Sequence, residues 1–162
     1  MIARTGFAPT PSAMAEKYFN RCEAEGLLPM IEDCLESALH QKQEISGLDE
    51  ELSRAAARIM VLGGSFPPYT DLAKKKAERD KFASKLEEAL NKIHQTGCIV
   101  KDLDQGLVDF PSLLKGEEVY LCWKLGEERI EYWHGIHEGF AGRKPLDDAP
   151  PDESPPGRPR VQ

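Results

Sequence analysis

No stretch of the chain approaches the run of about 18 apolar residues that a membrane-spanning helix requires, so no membrane anchor is expected. The first residues, MIARTGFAPTPSAMAEKYF, hold one Arg but no apolar core of signal-peptide length, and no export signal is read there. Positive charge is scarce. The chain has 21 Lys and Arg against 28 Asp and Glu, a net charge of −7. A nucleic-acid binder needs a basic face for phosphate, and a protein held on an anionic membrane needs a basic patch, so neither partner is expected. Cysteine is sparse and irregular: Cys22, Cys34, Cys98 and Cys122 form no C-x-x-C pair. Reduced thiols in a cytoplasmic protein are expected rather than a disulfide framework. A Gly-rich phosphate loop and a G-x-S-x-G elbow are both missing. Nothing in these patterns specifies a reaction, so the question of an enzyme stays open at this level.

What is present is charge and helical period. At 162 residues, with 40% apolar and 30% charged, the chain has length for one domain with a core and a composition suited to long exposed helices. Asn20 stands three residues ahead of Glu23, a capping-box pattern that predicts a helix starting at Arg21. Pro29 then either kinks this helix or opens a second one as its first residue. From Leu28 the positions 28, 31, 35, 38, 42, 45, 49, 52, 56 and 59 follow a 3-4 alternation, and eight of the ten are apolar. That is a heptad seam, interrupted by Lys42 and Asp49. The segment Gly63-Gly64-Ser65-Phe66-Pro67-Pro68 reads as a break. Thr70 is the expected N-cap of the next helix, which ends near Thr96 with Gly97 suited to a left-handed cap. Residues 23–62 hold nine acids and three bases, whereas residues 70–96 hold seven bases and five acids. Opposite charge and matching apolar stripes predict an antiparallel hairpin over 21–96, whose uncovered flank predicts a homodimer through the helices.

After Gly97 the period changes to that of strands. Residues 98–102 and 107–110 are strand candidates, with Pro111 expected to end the second at a sheet edge. Residues 118–125 alternate, with Val119, Leu121, Trp123 and Leu125 on one face. Gly126-Glu127-Glu128 is a turn, and 129–134 is the expected return strand, with Ile130, Tyr132 and His134 on its core face and Trp133 on the other. The expected fold class is α+β, a long antiparallel helical hairpin followed by a small antiparallel β-meander. The expected organisation is a disordered lead-in at 1–18, one domain at 19–146 and a disordered tail at 147–162, where five of sixteen residues are Pro.

The blocks KDLDQGLVDFP (Lys101 to Pro111), VYLCW (Val119 to Trp123), Gly126-Glu127, Trp133-His134 and GFAGR (Gly139 to Arg143) carry a resemblance. With the opening Glu23-Ala24 and Leu27-Leu28-Pro29, they resemble a bacterial family of unassigned function, the domain-of-unknown-function family 2203. The resemblance spans about residues 19–146 and implies no particular activity, cofactor or partner.

Several residues of the C-terminal segment could carry chemistry. Cys122, His134 and His137 offer a thiolate and two imidazoles, which suit zinc; no other cofactor is predicted. The plainer reading is that His134 bonds to backbone and His137 sits in a loop. Asp102-x-Asp104-x-Gly106 starts like a calcium loop, but its Gly comes one place early and Leu113 stands where such a loop ends in Glu. Turn capping by the carboxylates fits better. Arg143, after Gly139-Phe140-Ala141-Gly142, either meets an anion or pairs with Asp109 or Glu127. Two functions follow as expectations. The first is a cytoplasmic, self-associating interaction or scaffold protein whose protein partner is not specified by the sequence. The alternative is a small-molecule or metal-binding protein, or an enzyme, with a site drawn from Asp102, Asp109, Glu127, Trp133, His134 and Arg143.

Overall fold

Asn20 begins the first helix as its pattern requires. Its side chain accepts from the Glu23 N–H at 2.8 Å, and the Glu23 carboxylate accepts from the Asn20 N–H at 3.1 Å. In the computed structural model, which describes residues 17–63 and 69–146, helix α1 then runs unbroken over Arg21–Val61. Pro29 lies inside it, so of the two alternatives it does not open a second helix. Helix α2 spans Tyr69–Gln95. It begins one residue before Thr70, which is therefore inside the helix and not its cap. Residues 1–16 of the expected lead-in, the expected tail at 147–162 and most of the Gly-Pro break between the helices lie outside the described residues.

The helices form the expected hairpin. The charges that interrupt the seam are used in ion pairs: Lys42 reaches Asp104, Asp49 pairs with Arg79, and Lys75 pairs with Glu51 across the hairpin. These pairs are partly exposed, so they set alignment more than stability. The seam itself divides into two parts. Leu28, Ile31 and Leu35 are buried in one cluster with Ile93 of α2 and residues of the sheet, and Ala38 is buried beyond them, whereas from Ile45 onward the seam positions are half-buried or exposed.

Gly97 turns the chain out of α2 with φ +97, a conformation that favours glycine. Five strands follow: β1 (Ile99–Asp102), β2 (Leu107–Leu114), β3 (Glu117–Lys124), β4 (Tyr132–Gly135) and β5 (Lys144–Pro145), with a 3-10 turn at Phe140–Gly142. They pair antiparallel in sequence order, so the architecture is the α+β hairpin and meander. Gly106 is required between β1 and β2. Its φ is +65, and a Cβ there would come 2.4 Å from the Leu125 Cβ.

Two strand expectations are corrected. The first concerns β2, which does not stop at Pro111 but continues to Leu114; β1 reaches only as far as Asp109, so at Pro111 a strand lies on the β3 side alone. In an antiparallel ladder the N–H and C=O of one residue point to the same side. The Pro111 carbonyl accepts from Phe19 N–H at 2.7 Å, on the side away from β3. The missing N–H of Pro111 therefore faces that side too, and the β3 ladder loses nothing.

The second concerns the return strand, which spans only Tyr132–Gly135. Residues 125–131 are a longer connection in which Ile130 is fully buried without belonging to a strand. The side-chain alternation therefore starts in the opposite phase. Trp133 pairs with Leu121, and so shares the helix-facing side with Trp123, Val108 and Phe110. His134 pairs with Tyr120, and Tyr132 with Cys122, on the other face.

Candidate functional site

The outer face of the sheet, away from the helices, is unusual in what it buries. Asp109 on β2 stands directly opposite Cys122 on β3, which stands opposite Tyr132 on β4. His134 is two residues further along β4, opposite Tyr120. Strands β2 and β4 lie about 10 Å apart across β3. Cys122 is short enough that Asp109 and His134 meet above it.

There the His134 Nε2 lies 3.1 Å from Asp109 Oδ2. The ligand-type atoms of Asp109, Cys122 and His134 all lie within 4.8 Å of one another, and all three residues are buried. On the ring's other side, His134 Nδ1 donates to the Gly135 carbonyl at 2.9 Å. A carbonyl only accepts, so Nδ1 carries a hydrogen. Nε2 then has two states. Protonated, it donates to Asp109 as part of an imidazolium. Deprotonated, it aims a lone pair into the space shared by the thiol and the carboxylate.

The surroundings favour the first state. The hydrogen bond with Asp109, then that with Cys122, raises the His134 pKa from its ordinary value to about 10, against the opposing effect of burial. Tyr120 packs its ring 5.5 Å from that of His134, and burial pushes its hydroxyl pKa up. Lys101 closes the edge of the cluster, with Nζ 3.9 Å from Asp109 Oδ2 and 4.8 Å from the centre of the Tyr120 ring.

A second polar pair adjoins the first. Arg143 donates to both Glu127 oxygens, at 3.0 and 2.8 Å, and to the Cys122 carbonyl at 3.2 Å. Its guanidinium lies over Tyr132 and Phe140, with centroid distances of 4.2 and 4.8 Å. Glu127 also accepts from the Lys124 N–H, and its carbonyl accepts from Trp123 Nε1. With both carboxylate oxygens and a carbonyl taken, Arg143 pins the 3-10 turn to the sheet rather than presenting an open anion site.

The residues proposed from sequence thus divide. Asp109, Cys122 and His134 converge, and Glu127 with Arg143 adjoins them. Asp102 instead accepts from the Gln105 N–H at 3.0 Å and caps the β1–β2 turn. Trp133 is on the helix side, beneath Lys144. His137 is exposed in the turn after β4, away from the thiol, and Asp109 stands in its place as the third ligand-type residue. The sequence reading used Asp109 but did not join it to the metal set. Its signal was an acid within the apolar run LVDFP, since a carboxylate in a buried strand needs a partner. Lys101 was missed, because only the pairing of β1 with β2 brings it beside the cluster; Tyr120, read from sequence as one of four aromatics able to wall a pocket, comes beside His134 through the pairing of β3 with β4.

Residues 17–146 match the family model described as uncharacterized conserved protein (DUF2203). No curated protein and no solved structure matches the chain.

Proposed function

The chain belongs to the DUF2203 family of uncharacterized conserved proteins, and we propose that it is a metal-binding protein whose outer sheet face holds a divalent cation of the zinc class. The observation that carries this is the convergence of a thiol, an imidazole and a carboxylate from three adjacent strands within 4.8 Å. Tetrahedral zinc with bonds of 2.0–2.3 Å separates its ligand atoms by roughly 3.3–3.8 Å. Side-chain adjustments of about 1 Å bring the three groups to that spacing. A thiolate and a carboxylate supply two negative charges, which balance a divalent ion in a site closed to solvent. The Nδ1–H bond to the Gly135 carbonyl fixes the His134 tautomer with Nε2 free to ligate, the outer-sphere arrangement that oriented imidazole ligands use. A thiolate ligand requires a reducing setting, which accords with a bacterial cytoplasm. His137 is not assigned to this site.

The test is zinc content of protein purified without chelator, followed by cobalt substitution. One bound zinc per chain and a cobalt spectrum with a thiolate charge-transfer band are expected. Cys122→Ser should abolish the band, and His134→Ala and Asp109→Asn should lower occupancy. Metal-free protein that gives no cobalt–thiolate band overturns the reading.

A second reading is favoured by a separate observation. At the far end of the hairpin Met60, Val61 and Leu62 are 86%, 84% and 60% exposed. Beside them Leu52, Ala56, Ile59 and Leu72 line an apolar groove. Such a surface suits self-association through the helices, as a scaffold would use. It is compatible with a metal site at the other end of the molecule.

A further inference from the structure

Lys101 occupies a position that the strand pairing makes special. Val100 pairs with Val108 and Asp102 with Leu107, so Lys101 is the extra residue of a β-bulge and has no partner on β2. A bulge re-aims the side chain it carries. Here it sends the ammonium group over the Tyr120 ring and to within 3.9 Å of the Asp109 carboxylate. The Lys101 side chain is 39% exposed, whereas that of Asp109 is 2% exposed. One member of the pair is therefore fixed inside, and the other is free to swing into water.

We propose that Lys101 is a resident counter-cation of the Asp109–Cys122–His134 site, which an incoming divalent metal must displace, so that the site binds its metal exchangeably rather than permanently. This rests on the metal-site reading above and names how that site is regulated. The argument is one of charge. A buried carboxylate without a cation is costly, and in the metal-free protein Lys101 supplies part of the compensation from the rim. When a divalent ion takes the carboxylate oxygen, the ammonium is left facing a cation at short range in a poorly solvated place. It must move out, and the Asp109 and Tyr120 contacts it gives up count against binding. The bulge and the exposed lysine stem make that movement local to β1, with no change to the three strands that carry the ligands. The metal's own ligands are sufficient for the site, and Lys101 sets how tightly and how long the ion stays. Such a site suits a protein that senses or passes on a metal better than one that is held together by it.

The experiment is a competition titration of cobalt and zinc against a chromophoric chelator, using wild type, Lys101→Met and Lys101→Arg. Lys101→Met keeps the apolar stem and removes the charge; Lys101→Arg keeps the charge. Lys101→Met is expected to bind about tenfold or more tightly than wild type, with slower release to excess chelator, while Lys101→Arg stays close to wild type. Equal affinity for wild type and Lys101→Met, with the cobalt–thiolate band present in both, overturns the role of Lys101 and leaves the site standing. Loss of the band in all three removes the site and this inference together. Tighter binding by both variants would show that bulk, not charge, governs entry, and also overturns it.

Discussion

His134 keeps its proton because Asp109 and Cys122 face one ring nitrogen and the Gly135 carbonyl faces the other. That has a consequence for stability in the metal-free protein. The folded pKa, about 10, lies above the ordinary value of 6.5, so the folded state holds the proton more tightly than the unfolded chain. The stabilisation is fully present below about pH 6.5 and is lost as pH rises through about 10. Chelator-treated wild type should therefore show a denaturation midpoint that falls steadily between those limits, and His134→Gln should flatten that slope. A wild-type profile as flat as that of His134→Gln would show that the pair with Asp109 is not formed. The acid in LVDFP and the neighbouring cysteine and histidine were all visible as residue types. Their meeting was not, because it depends on side chains from β2 and β4 closing over the short residue between them.

At the level of elements, β3 and β4 decide which tryptophan is core. Trp123 is 1% exposed, donates to the Glu127 carbonyl at 2.8 Å and belongs to the central cluster. Trp133 is on the same side of the sheet but only half-buried at the edge of that cluster. Trp123→Ala is expected to cost about 3–5 kcal/mol, as large core aromatics do. Trp133→Ala should cost about 1–2 kcal/mol and leave cobalt binding unchanged, since its ring lies on the sheet face opposite Asp109, Cys122 and His134. Equilibrium urea denaturation of both variants, with cobalt binding as a second readout, checks the pairing of Leu121 with Trp133. Loss of cobalt binding in a folded Trp133→Ala protein would place that ring on the outer face and contradict the register. The alternation of β3 was legible because it is uninterrupted. The phase of β4 was not, because Ile130 is buried from a loop and imitates a strand residue.

For the molecule as a whole, the two ends have different support. The proximal half of the hairpin shares its core with the sheet, while among the described residues the distal half is built of the two helices and leaves Met60, Val61 and Leu62 exposed. No helix among the described residues is long and apolar enough to cross a membrane. Light scattering at high micromolar concentration is expected to give a dimer or larger species. A triple change of Met60, Val61 and Leu62 to Ser should shift it toward monomer, with little effect on the melting temperature because these side chains are exposed. A wild-type monomer at that concentration removes the self-association reading and does not bear on the proposed metal site.

The sequence by itself determined the helical hairpin, its capped start, the antiparallel meander and the apolar face of β3. These are local or periodic properties, written in caps, turn residues and repeats of 3.6 and 2 that neighbouring residues impose on one another. Only the tertiary structure decided that Pro29 stays within α1, that β2 runs on through Pro111, and which face His134 takes. It also decided that Lys101 bulges over Asp109. Each of these depends on what a distant segment supplies: a core that holds a helix through a proline, Phe19 meeting the Pro111 carbonyl, a buried loop residue that resets a strand's phase, and a register in which β1 carries one residue more than its partner.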